Sequence, residues 1–265
     1  MRWWVGTDVL LALEEGSARE IARKVARYTT MNLAVACHLV EELAEIGIVA
    51  RIAPLVSSAL ASAMLPWTAE AARHVLAYVP ARRHDFYGGG LLSRLCERRQ
   101  DTTFHILADD GEHFAGQTNV VSLGWQDDMD AVYARCGVLL RMTHHDGLPR
   151  MVLEALARGR HVIYRWPAPA CRQARTLEEV EAALDAIAVC GEPNRAGAAA
   201  VADHYGFSRT AALASETVRR AIDAWWKRAA DAVAAWVPWW ATLAARAGGA
   251  GQRQDLRYPS QQRGR

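Results

Sequence analysis

The chain has 265 residues, 51% of them apolar and 23% charged, enough to bury a sizeable core in one large domain or two small ones. Its formal net charge of +2 calls for neither nucleic acid nor an anionic membrane as partner. Its five cysteines, scattered and without CxxC spacing, suggest neither a disulfide framework nor a zinc site and fit a reducing cytoplasm.

From the N-terminus, residues 3–5, 33–37 and 48–53 read as strands. Helices are predicted over 17–27 and 38–46, the second closed by Gly47. Three strands and two helices in about 60 residues make a marginal core, so this segment is expected to be a partial α/β domain. It covers residues 1–66 and ends in a Ser/Ala-rich linker at 55–66. Residues 67–192 form the clearest succession, with strands at 75–79, 103–108, 119–123, 138–142 and 161–166. Helices are predicted at 90–98, 129–136, 149–158 and 177–188. Short β-rich runs alternating with amphipathic stretches are the pattern of parallel strands joined by crossover helices, a doubly wound sheet. Ala-rich helix follows over 198–202 and 209–246, with an interruption expected at Pro238. Residues 193–247 are thus a helical region and 248–265 a polar tail expected to be disordered. No stretch of about 18 uncharged apolar residues occurs, so the chain reads as soluble or at most peripheral to a membrane.

The loop between the strand at 138–142 and the next helix carries the chemistry. It lies at the carboxyl end of a parallel strand, where doubly wound sheets bind ligands. Gly147 lets a ligand approach the backbone, and the unpaired amides and positive dipole end of the helix favour a diphosphate. Asp146 precedes the helix and Glu154 lies about one and a half turns inside it, so the two carboxylates address different parts of one ligand. Carboxylates accept hydrogen bonds from hydroxyls, so a diphosphate flanked by two polyols, a nucleotide sugar, suits all these groups together.

Asp146-Gly147 and, at the right interval, Glu154-Ala155-Leu156-Ala157-Arg158-Gly159 resemble the acid-x7-acid signature of retaining GT-B glycosyltransferases of the family 4 type. The run from Asn119 through Gly124 and Trp125 to Cys136 resembles that family's lead-in, and the likeness spans about residues 75–184. The resemblance implies a Rossmann-like donor domain and sugar transfer from a nucleotide-sugar to a glycan or glycolipid acceptor, with no metal. It implies that Asp146 lies at the hexose hydroxyls or reacting centre. Gly147 and Leu148 would offer amides to the sugar-diphosphate, Glu154 would hold the ribose, and Gly124 and Trp125 would lie near the base. The family's Arg and Lys that neutralise the diphosphate have Arg82 and Arg83 as nearest candidates, but the Lys-Gly step is absent and Gly88-Gly89-Gly90 follows instead. Asp146 is one methylene shorter than the family's usual Glu. Near the start, Trp4-Val5-Gly6-Thr7-Asp8 resembles an element that faces the interdomain cleft, placing Thr7 and Asp8 on the acceptor side. The family's acceptor-side histidine has no motif to locate it here.

Plainer readings stand beside these. Asp146 and Asp8 could cap helices, Glu154 could be a solvated helix residue, and His144 and His145 point in different directions with no third metal ligand. Trp225, Trp226, Trp236, Trp239 and Trp240 could form an interfacial helix against a membrane or pack on the N-terminal domain. A shortened acceptor domain also leaves an open strand edge and apolar surface. It therefore predicts poor transfer by this chain alone, with self-association or a partner chain. The rival reading is a non-catalytic nucleotide-sugar-binding or interaction module, and a third is a sugar-nucleotide epimerase on the same architecture.

Overall fold

Continuous burial along the central strands shows how the larger sheet is built. The computed structural model describes residues 1–29, 31–54, 63–109, 111–205 and 207–247; most of the expected linker and all of the expected tail lie outside these. Two parallel sheets form. The first has the order β1-β2-β3, from β1 (Arg2–Trp4), β2 (Asn32–Ala34) and β3 (Arg51–Ile52). Helices α1 (Thr7–Leu13), α2 (Ser17–Tyr28) and α3 (Cys37–Glu45) connect its strands.

The second sheet comprises β4 (His74–Tyr78), β5 (Thr103–Leu107), β6 (Val120–Gly124), β7 (Val138–Arg141), β8 (His161–Tyr164) and β9 (Arg172–Gln173). They lie in the order β6-β5-β4-β7-β8-β9, every pairing parallel. Its helices are α4 (Gly89–Arg98), α5 (Met129–Arg135), α6 (Arg150–Ala157) and α7 (Leu177–Cys190). Val75, Ala77, Val138, Leu140 and Ile163 enter one buried cluster with Leu92 and Leu95 of α4 and Val180 and Leu184 of α7. Their neighbours Leu76, Leu139 and Val162 enter a second, with Val132 of α5 and Val152 and Leu156 of α6. Successive side chains thus point to opposite, equally covered faces, as a doubly wound parallel sheet requires. Local signals agree: Thr176 and Glu179 form a capping box at the start of α7, and Gly191 closes it in the left-handed region at φ 62.

Three sequence expectations are corrected. The first segment holds an additional helix, α1, and does bury a core of Trp4, Val9, Leu33, Leu39 and Leu43, each 2% exposed or less. The helix adds a covering layer, and Leu148, in the turn after β7, packs against this core. The two-residue strand β9 was not foreseen. After α8 (Arg195–His204), α9 runs unbroken from Phe207 to Ala247 through Pro238, where an interruption was expected. The chain divides into two compact units, Met1–Val218 and Arg219–Arg265, so both sheets belong to the first. In the second, Trp225 and Trp226 are 52% and 62% exposed; the side chains of Trp236, Trp239 and Trp240 lie outside those described. Among the described residues no helix is long and apolar enough to cross a membrane.

Candidate functional site

The strand order reverses between β4 and β7, and a crevice opens beyond their carboxyl ends. β7 ends in Arg141, the one charged residue of an otherwise apolar strand. The chain then turns through 142–149 into α6, whose N-cap is Pro149 at φ −67. An open pocket of about 390 Å³ lies on this turn, lined by Val5, Tyr78, Arg141, Asp146, Gly147, Leu148 and the first turn of α6.

Arg141 Nε donates to Asp146 Oδ2 at 2.6 Å, and both side chains are largely buried. Asp146 Oδ1 accepts from the Gly147 amide at 3.1 Å. The guanidinium also lies 5.9 Å from the Tyr78 ring and 5.6 Å from that of Tyr87. A cation, a carboxylate and the first amides of a helix therefore share one pocket. Such a pocket can meet a diphosphate and the hydroxyls beside it.

The first sheet clamps the turn from the other side. A Cβ on Gly147 would run into the Val5 carbonyl, and one on Gly6 would lie 3.0 Å from the Gly147 amide nitrogen, so backbone meets backbone there. His38, at the start of α3, lies with Nε2 2.8 Å from the Asp146 carbonyl oxygen. Its ring stacks on Trp166 with centroids 4.5 Å apart. Burial pushes the His38 pKa below its ordinary value, although the Asp146 carbonyl and Glu42 pull it upward. A neutral ring with the proton on Nε2 donates to that carbonyl. Glu42 Oε2 lies 2.9 Å from His145 Nε2, completing the clamp.

The structure thus brings Asp146, Gly147 and Leu148 into one pocket with Arg141, which sequence reasoning missed, and sets His38, also missed, against the loop's backbone outside the pocket. A charge at the end of an apolar parallel strand was an available signal for Arg141; for His38 no motif stood out. Arg82 and Arg83 are exposed and do not line this pocket; Arg83 covers the Phe86 ring at 4.3 Å. Glu154 does not line it either. Its carboxylate accepts from Arg150 Nε at 2.6 Å and from the Tyr133 hydroxyl at 3.4 Å. Gly124 ends the edge strand, two strands from the crevice, and Trp125 is 82% exposed with its indole N–H on Asp127. Thr7 is exposed at the start of α1. The Asp8 carboxylate accepts from the amides of Val5, Gly6 and Val9 and from Arg2, so it fastens the β1–α1 turn from inside the helix.

Solved structures share this arrangement of sheets. S. aureus TarM superposes with a TM-score of 0.61 at 10% identity, over 82% of this chain and 49% of that one. Anabaena HepE gives 0.57 at 12%, over 76% and 66%. Sucrose-phosphate synthase from Thermosynechococcus elongatus gives 0.62 at 12%, over 78% and 62%. The chain has the GT-B fold. It spans about half the length of the TarM chain it matches, and at such identities the likeness is one of GT-B fold. No protein-family model matches the sequence, and no curated protein matches it.

Proposed function

We propose that the chain binds a nucleotide-sugar and transfers its sugar to a glycan or glycolipid acceptor, with retention of anomeric configuration. The observation that carries this reading is the Arg141–Asp146 pair at the crevice between β4 and β7, beside the amides that open α6. When the bond from the anomeric carbon to the diphosphate oxygen breaks, negative charge grows on the leaving group. Arg141 and the helix-end amides would stabilise that charge, which is how preorganised electrostatics lowers a barrier. Asp146, held by Arg141, would position the sugar hydroxyls. Glu154 would hold the ribose by releasing Arg150. No metal or further cofactor takes part in the proposed chemistry. TarM and HepE have been crystallised with UDP, as has the pneumococcal O-GlcNAc transferase GtfA, so uridine donors are the first to test.

The clamp favours a second reading, a nucleotide-sugar-binding module without transfer, because the β1–α1 turn packs directly on the donor loop. In that reading a partner chain completes the site; one of the fold relatives is a GtfA/B complex. Transfer to a glycolipid would place the chain at the inner face of a membrane, with Trp225 and Trp226 exposed for contact. Release of free nucleotide from a donor panel, with and without acceptor, separates the readings. Acceptor-dependent release supports transfer, and tight binding without release supports the module.

A further inference from the structure

A second pocket, of about 440 Å³, opens beside the first. It is bounded by Gly88 and Gly90 of the α4 entry, by Met142 and His144 after β7, and by Arg94, Arg165 and Arg175. Its volume is within the range of small-ligand sites. Gly88 abuts the Met142 carbonyl, and the His144 amide donates to Phe86 O at 2.8 Å, so the α4 entry and the β7 turn form one wall.

The charge on this pocket is unbalanced. Arg94 and Arg165 have no carboxylate partner among the described residues. The pocket's one acid, Asp85, is 97% exposed and turns to His84. Glu179, four residues after Arg175, spends its carboxylate on the backbone amides of Arg175 and Thr176. Guanidiniums gathered around a concave surface repel one another until an anion enters, and each offers a planar fork suited to carboxylate or phosphate. Gly90 leaves the floor open, since a Cβ there would meet nothing within 4 Å. Packing therefore does not require glycine at that position.

We propose that this pocket recognises an anionic group, carboxylate or phosphate, on the sugar that accepts transfer. The acceptor would then be an acidic glycan rather than a neutral one. The assignment to the acceptor rests on the donor reading of the neighbouring pocket, where Arg141 and the α6 amides already provide for the diphosphate. The anion site itself does not.

Calorimetry on the full chain tests this with three probes: a glucuronate-terminated trisaccharide, its neutral glucose-terminated counterpart, and the 6-phosphate of that counterpart. Each is titrated with and without saturating UDP. The charged probes should bind at least tenfold more tightly than the neutral one, and UDP should not displace them. The tighter of the two identifies the anion. Arg165→Gln should weaken the charged probes at least tenfold, whereas Arg141→Gln should weaken only UDP. Gly90→Glu should abolish their binding while leaving the melting temperature unchanged or raised, as an acid in a helix first turn allows. Equal binding of charged and neutral probes, or no binding of any, overturns the proposal. So does displacement by UDP, which would give the pocket to the donor phosphates. If the charged probes bind and UDP does not, the anion site stands and the donor reading falls.

Discussion

His38 Nε2 and the carbonyl oxygen of Asp146 lie 2.8 Å apart, joining the first sheet to the loop that carries the proposed chemistry. The same aspartate is held through its carboxylate by Arg141. Its backbone is therefore fixed from one sheet and its side chain from the other. His38 acts as a positioning residue: it touches the loop and lines neither pocket described.

Replacing His38 by Leu keeps apolar bulk against Trp166 and removes the hydrogen bond. The expected loss is about 1 kcal/mol of stability together with weaker donor binding, read by urea denaturation and calorimetry. Unchanged donor affinity would confine His38 to a purely structural contact.

Asp146→Asn should lower transfer far more than donor binding, because its proposed role is at the reacting centre. Arg141→Gln should lower both, since it also leaves a buried carboxylate without its cation. Steady-state kinetics beside calorimetry separates the two patterns, and equal losses for Asp146→Asn would return it to a loop residue.

Glu154→Gln should weaken donor affinity by roughly 1 to 3 kcal/mol, the scale of a hydrogen bond to a charged group, with the fold intact. Its present partners, Arg150 and Tyr133, offer the alternative that it only braces α6. In that case calorimetry would show unchanged binding and the melting temperature would fall.

The sheet was legible in the sequence because short, nearly continuous apolar runs such as 75–79 and 138–142 are what parallel strands covered on both faces require. The Asp-Gly turn before a helix likewise marked the loop that the structure places at the switch point. Arg141 was passed over because its partner Asp146 is met only when the turn folds back on the strand. His38 depends on how two sheets meet, which no local pattern encodes. Arg82 and Arg83 are exposed and do not line the 146–148 pocket, since adjacency to a strand end does not by itself aim a flexible side chain.

Acid should destabilise the protein. Burial lowers the pKa of His38, His105 and His161, that of His105 from 6.5 to about 4. Each ring then binds fewer protons folded than unfolded. Stability is full above pH 6.5 and declines as pH falls from there through about 4. The urea midpoint should be lower at pH 5 than at pH 7.5; a flat profile would mean that these rings are not buried as described.

The β4–β7 crevice is proposed to hold a nucleotide-sugar through Arg141 and the 146–148 loop. Isothermal titration of UDP and of UDP-sugars into the wild-type chain and Arg141→Gln tests it most directly. Saturable one-to-one binding to the wild type is expected, weakened at least tenfold by the substitution when both proteins are titrated well below the variant's lowered melting temperature. Binding of equal strength to both proteins, or to neither across a panel of nucleotide donors, would contradict it.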